Sequence, residues 1–358
     1  MIQVDRRRPA ELSPEQRRDW LEIMRSDARL AHAFLSPGFA DAVDRVCGDV
    51  QVLVIENSGR SGFLPVHTGR RGRLRACGFP LSDMQAVVAP QSWSLDPRDI
   101  MSATQSSTFQ FDHWIAHSSS WRTRQPDQSF LIDLGDGLDN YTRSQLAGSR
   151  FLEQMRRQER RAERRYGPLR FEWRVDDAPM LSRLAVGWKR NYARRLGARD
   201  YFAEPWQREL VEQCVISTEP DMAAVVSALF AGDQPIAILI SLRFAETLSA
   251  WIPAYDHRFG DCSPGAILHW RLVQEALNRN VNRIDLGRGE NQLKKRLAND
   301  RQEVFVGTLR QPTMANWFGR LWERQRETLK SYGWARAAAR WTRQIPHRLI
   351  TPLEESDS

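Results

Sequence analysis

The sequence predicts an α+β fold built from two related halves in tandem, followed by a basic helical tail. Three observations predict it. The chain has 358 residues, more than a typical single domain holds. One order of elements (helix, helix, three strands, helix, strand, strand) can be read twice, although no repeat is visible residue by residue. The last stretch differs, with apolar residues at helical spacing and arginine-rich opposite faces. The expected boundaries are 1–165 for the first half with its connecting helix, 166–312 for the second half and 313–358 for the tail.

In the first half, Ser13 and Pro14 open a helix, with Gln16 placed to complete a capping box. Ser36 and Pro37 start another. Strand-like runs follow at 50–56, 62–68 and 73–79, the first two joined by the turn signal "NSGRSG". A helix near 97–104 precedes strands around 107–115 and 129–133. Residues 138–165 read as one helix. From Ser149 to Arg165 it holds seven arginines and three glutamates, either a solvated connecting helix or an electrostatic lip facing an anionic substrate.

The second half repeats the order. Helical periodicity covers 176–196 and 204–217, and strands follow at 222–230, 235–243 and 247–254. A helix at 264–279, a strand at 282–286, a short helix at 291–298 and a strand at 302–309 complete it. The "AGDQP" turn makes the first two of these strands a hairpin. In the tail, 314–350 places apolar residues on one face and arginines on the other, broken at Gly333. Such helices either pack on the protein body or lie on anionic lipid.

Composition narrows the function. An apolar share of 41%, with 13 Trp and 15 Phe, supplies sizeable cores and excludes disorder as the dominant state. Cys47, Cys77, Cys214 and Cys262 are far apart with no CxxC pair. This argues against a zinc site or a disulfide framework, and no metal is expected. The start of the chain has no apolar run of signal-peptide type, and no stretch is long and apolar enough to span a membrane. A cytoplasmic protein is expected, with peripheral contact to the inner face of the membrane following only from the lipid reading of 314–350. The net charge of +8 favours anionic partners, but arginine enrichment alone does not imply specific nucleic-acid binding.

The chemistry concentrates in 247–300. Strand, loop, "SPG", helix, strand, glycine-rich turn and helix follow in order. Ser263 is a good N-cap and Pro264 a good first helical residue, so the amides of Gly265, Ala266 and Ile267 are expected to be free for phosphate. The next strand ends in "DLGRGE", and two of the four lysines, Lys294 and Lys295, follow on a short helix. They point about 100° apart, so one at most faces a cleft.

This order resembles the acyl-CoA-binding core of GCN5-related N-acetyltransferases. More closely, "AYDHRFGDCSPGAILHWRLVQEAL" followed by "RIDLGRGENQLKKRL" is similar to the BioF2-like, or cellulose-biosynthesis-associated CelD-type, acetyltransferase family. "FLPVHTGRRGRLRACGFPLSDMQAVV", with Asp83, loosely resembles the family's first half, and the likeness covers about residues 30–310. It implies tandem acetyltransferase-like halves with a cleft between them, in a FemAB-like arrangement. It also implies acyl transfer, with acyl-CoA (acetyl-CoA) as co-substrate, to an amine or hydroxyl of a surface-polysaccharide or cell-envelope precursor. The family's pyrophosphate loop is not matched: Asp261 stands where Gln or Arg is usual, with Arg258 offset as a substitute.

Attack on a thioester needs a base for the nucleophile's proton and a donor for the oxyanion or leaving thiolate. Asp285 and Glu290 are the candidate bases. Tyr255 is a candidate to bind substrate or return the proton. Arg258, Ser263, Gly265, Ala266 and Ile267 are candidates for the donor. Asp83, Lys189, Arg288, Lys294 and Lys295 are candidates for the acceptor, a small molecule or carbohydrate. Each has a bland reading: Asp285 as a turn residue accepting backbone N–H groups, Tyr255 as an interior aromatic, His269 as a core histidine. Two other functions compete. One is an aminoacyl-tRNA-dependent transferase of FemAB type. The other is a non-catalytic, membrane-associated binding protein for polysaccharide assembly.

Overall fold

A computed structural model describes residues 2–57, 59–116, 125–147 and 150–311. The tail at 313–358, and with it the membrane contact expected of 314–350, lies outside the described residues. The chain up to Leu309 forms one compact unit.

The first half contains β1 (Gln3–Arg7), α1 (Pro14–Ser26), α2 (Pro37–Cys47), β2 (Val50–Asn57), β3 (Arg60–Gly69), β4 (Arg73–Ala76), α3 (Pro97–Ala103), β5 (Thr108–Trp114) and β6 (Gln125–Asp133). After α4 (Leu138–Tyr141) and α5 (Phe151–Tyr166) the second half begins with β7 (Leu169–Glu172). It continues with α6 (Ala178–Leu196), α7 (Pro205–Ile216), β8 (Ala223–Ala231), β9 (Gln234–Phe244), β10 (Thr247–Tyr255), α8 (Pro264–Ala276), β11 (Arg283–Arg288), α9 (Gln292–Leu297) and β12 (Asp300–Arg310). The capping box forms as expected: Ser13 Oγ accepts from the Gln16 amide at 3.1 Å, and Gln16 Oε1 from the Ser13 amide at 3.0 Å. The single helix expected over 138–165 is instead broken. A π-helical turn at Thr142–Leu146 follows α4, and α5 starts anew at Phe151. The strands β1 and β7 were not anticipated. Both are short edge strands with little periodicity to read.

All twelve strands join one sheet in the order β1-β2-β3-β4-β5-β12-β6-β11-β10-β9-β8-β7. Each half contributes an antiparallel run ending in a parallel pair, β4 with β5 and β10 with β11. The last strands are exchanged between the halves: β6 pairs with β11, and β12 lies between β5 and β6. The exchange ties the halves through backbone ladders.

Side chains tie them as well. One core runs from Trp20, Phe34 and Phe63 of the first half to Trp251 and Ile252 of the second. Trp251 Nε1 donates to the Leu81 carbonyl at 2.7 Å, and the Gly38 amide to Asp221 at 2.9 Å. The Leu81 turn opens at Gly78, where φ is +71° and a Cβ would meet the Phe39 ring at 2.8 Å. Only glycine fits. That turn carries the chain to Asp83.

Candidate active site

The parallel pair β10–β11 is joined only from Thr247–Ser249 to Arg283–Asp285, although β10 continues to Tyr255 and β11 to Arg288. Sequence explains the parting. Pro253 in β10 has no N–H to offer a ladder, and Gly287 (φ +78°) and Gly289 (φ +87°) turn β11 away. The gap is a cleft of about 440 Å³, walled by Pro253 to Tyr255, Leu286, the start of α8, Lys294, and Trp188, Lys189 and Tyr192 of α6.

The start of α8 is less open than its sequence suggests. The amides of Ala266 and Ile267 both donate to the Ser263 carbonyl, at 3.0 and 3.2 Å. Ile267 is fully buried. Of the three amides expected to be free, only that of Gly265 lacks an acceptor among the described residues. Ser263 takes the left-handed conformation and, with Gly265 and Ala266, lines the cleft. The Tyr255 ring lies against the same loop, 3.7 Å from where a Cβ on Gly265 would be. Arg258, expected as a substitute for the loop's missing basic residue, lies away from the cleft. It pairs with Asp256 and is largely exposed. Asp261 is engaged by Arg161 and Arg165 of α5 and by the Tyr166 hydroxyl at 3.1 Å. Two arginines of the connecting helix thus reach Asp261 in this loop.

A second cleft of about 410 Å³ shares the walls Lys189 and Tyr192 with the first. Asp83 and Arg288 line it. A Cβ built on Gly287 would lie 3.6 Å from Asp83 Oδ2 and 3.8 Å from Lys294 Nζ, so these groups meet at the end of β11. Burial pushes the Asp83 carboxyl up to about 6, against the pull of His113 and Lys294. His113 Nε2 stands 3.8 Å from Asp83 Oδ1, while its Nδ1 is 3.0 Å from Asp112 Oδ1, which also accepts from Gln85 at 2.8 Å. Lys294 donates to the carbonyls of Gly287 and Arg288 at 3.0 and 2.7 Å, and burial lowers its pKa. Burial does the same to Lys189.

Asp285 and Glu290, the bases expected from sequence, are elsewhere. Asp285 is 2% exposed and lines neither cleft. Its Oδ1 accepts from Ser129 Oγ at 2.6 Å and from the Gly287 amide at 2.8 Å, and its Oδ2 faces His32 at 3.5 Å. Its bonds anchor the β11 turn. Glu290 is exposed, pairs with Lys295 and lines neither cleft. Of the lysine pair, Lys294 faces the site and Lys295 faces away. Asp112, His113 and Gln85 carried no readable signal, since they come together only when the 82–85 turn packs on β5. His269 lines the first cleft with Nδ1 2.7 Å from the Gly265 carbonyl, and burial lowers its pKa.

A mixed sheet with a splayed parallel pair and a helix start beside it fits an acyltransferase. In agreement, residues 149–295 match the family model described as "Acetyltransferase (GNAT) domain", whose members generally use acetyl-CoA. No curated protein matches the sequence. Among solved structures, FemX is similar at 9% identity over 85% of this chain and 96% of its own, with a TM-score of 0.51. A conserved protein of unknown function from Bacteroides thetaiotaomicron VPI-5482 is similar at 9% over 85% and 98%, with a TM-score of 0.50. A tandem GNAT protein from the clavulanic acid biosynthesis pathway reaches 0.45 at 10% identity, covering 87% of this chain and all of its own. At these identities the likeness is one of fold.

Proposed function

We propose that this protein transfers an acyl group from acyl-CoA, bound between β10 and β11, to an amine or hydroxyl of an acceptor in the second cleft. Asp83 serves as the general base. The observation that carries the reading is the meeting of the two clefts at Lys189 and Tyr192, with a carboxylate poised near pH 6 beside Gly287. A base in that range is mostly ionised at neutral pH yet still basic enough to take a proton.

Acyl-CoA supplies a thioester carbon. The residues that would hold it are Gly265 through its free amide, Ser263 and Ala266 through the cleft wall, and Tyr255 through its ring. Asp83 takes the nucleophile's proton as the new C–N or C–O bond forms and the C–S bond breaks. The thiolate leaves with CoA, and Tyr255, in the donor cleft, can return a proton to it. The ammonium groups of Lys189 and Lys294 favour negative charge where the two clefts join. Asp285 and Ser129 hold Gly287, and Lys294 holds its carbonyl, so the wall beside Asp83 keeps its shape. The surface-polysaccharide or cell-envelope acceptor is supported by the family resemblance alone.

Calorimetric titration with acetyl-CoA and longer acyl-CoAs, beside Lys294→Ala, tests the donor. Binding that weakens in the variant upholds the reading. Absence of binding by the unaltered chain rejects free acyl-CoA as the first substrate.

A further inference from the structure

The second cleft carries three cations on three separate segments: Lys189 on α6, Arg199 just beyond it and Arg288 at the end of β11. Its carboxylates are otherwise engaged. Asp200 accepts from Arg190 Nε at 3.0 Å and from the Phe202 amide at 2.9 Å. Asp112 is held by Gln85 and His113. Asp83 is the base in the reading above. The cations are only partly matched, Lys189 feeling the Asp83 carboxylate at longer range. Among the described residues neither Lys189 nor Arg199 has a carboxylate within 4.0 Å, and Arg288 reaches only Asp127, at 3.7 Å. A half-buried ammonium without a salt-bridge partner, such as Lys189, favours a ligand that supplies negative charge.

Aromatic faces accompany the charge. Tyr192 and Tyr201 line the same cleft and are each 46% exposed, and the Arg199 guanidinium lies 5.0 Å from the Tyr201 ring centroid. Among the described residues every exposed tyrosine, Tyr255 included, lines one of the two clefts. Amphipathic rings left in water at a cleft suit a partner with a ring of its own.

We propose that the acceptor carries a phosphate or diphosphate group beside a ring, the anion held by Arg199, Arg288 and Lys189 and the ring laid against Tyr192 and Tyr201. This rests on the acyl-transfer reading, in which the acceptor's nucleophile meets Asp83. A neutral sugar would bring no charge to any of the three cations, and a single carboxylate would answer one or two. A diphosphate has oxygens enough for three, and an arginine fork matches it in bidentate fashion.

The test is titration of the full chain, saturated with CoA so that the donor cleft takes no phosphate. The probes are inorganic pyrophosphate, UDP-glucose, glucose, and phosphatidylcholine vesicles with and without a polyprenyl-diphosphate-linked glucose. Pyrophosphate and at least one ring-bearing diphosphate should bind, and glucose should not. Arg199→Gln/Arg288→Gln should weaken phosphate binding by about tenfold or more, as expected for lost charge-assisted hydrogen bonds. Its melting temperature, and a Lys295→Ala control outside both clefts, separate this from misfolding. Preference for UDP-glucose assigns a nucleotide-linked acceptor, and preference for the doped vesicles a lipid-linked one. Failure of every phosphate probe to bind, or binding unmoved by the double substitution, overturns the proposal. The base reading fails separately, if Asp83→Asn turns over normally whichever way phosphate binds.

Discussion

Replacement of Asp83 by asparagine should inactivate the protein and stabilise it at the same time. The side chain is 26% exposed, and its carboxyl is raised from 3.8 to about 6 by burial, with Asp285 and Asp112 adding to the rise. A folded-state pKa above the unfolded one means that the native state prefers the protonated acid. The stability this gives is complete below about 3.8 and is lost as pH rises through about 6. At neutral pH the fold therefore bears an ionised group it disfavours. The gap, at 1.36 kcal/mol per pH unit, amounts to at most about 3 kcal/mol. Asparagine keeps the shape without the charge, so urea unfolding at pH 7.5 should show a gain of about 1–3 kcal/mol that vanishes near pH 4. Loss of a general base should lower kcat/KM by about 10²–10⁴-fold. In the unaltered protein kcat/KM should fall about tenfold per pH unit below 6, because only the ionised carboxylate accepts a proton. Near-normal turnover by the variant would remove Asp83 from the mechanism. Equal stability at both pH values would refute the reasoning from burial.

Four other outcomes follow from the same geometry. His113→Asn removes a group that pulls the Asp83 pKa down, so the acid limb of the pH–rate profile should move above 6, a change that structural damage alone would not produce. Lys294→Ala should reduce kcat/KM by about tenfold or more through loss of two charge-assisted bonds to the Gly287 and Arg288 carbonyls, while Lys295→Ala, whose partner is the exposed Glu290, should stay within about twofold. Asp285→Asn should keep most activity, and Asp285→Ala should lose about 1–3 kcal/mol in denaturant unfolding by stranding the Ser129 hydroxyl and Gly287 amide. Inactivity of a well-folded Asp285→Asn would return the role of base to Asp285. Gly78→Ala should cost at least about 1–2 kcal/mol from its left-handed backbone alone, with added strain against Phe39.

Much of the fold was legible in the chain. The Ser-Pro starts of α1 and α2, the turn between β2 and β3 and the whole run from β8 to β12 carry local signals, and each forms close to its expected bounds. The unread parts have physical reasons. The apolar pattern over 138–165 continues across a π turn and a break, because helical periodicity reports a face and not the hydrogen-bond ladder beneath it. The exchange of β6 and β12 is invisible, since alternation along a strand names no neighbour.

The site divides along the same line. Asp83, Lys189 and Lys294 were singled out by residue type and motif, and the structure brings them together. Asp285 stood in the right motif, but its part depends on burial and on Ser129, 156 residues away. Asp112 and His113 lie on β5, in a half of the chain whose motifs pointed only to Asp83.

Sequence by itself determined the class of the protein: the two-half α+β plan, the parallel pair beside the "SPG" helix start, and the glycine-rich turn with a lysine behind it. These are local patterns of periodicity, capping and backbone freedom. Only the tertiary structure separates the two carboxylates. Asp83 and Asp285 differ in what surrounds them: one opens on a cleft with an elevated pKa, the other is enclosed with Oδ1 already hydrogen-bonded. Burial and partners set a group's proton affinity and reach, and both belong to the packed chain.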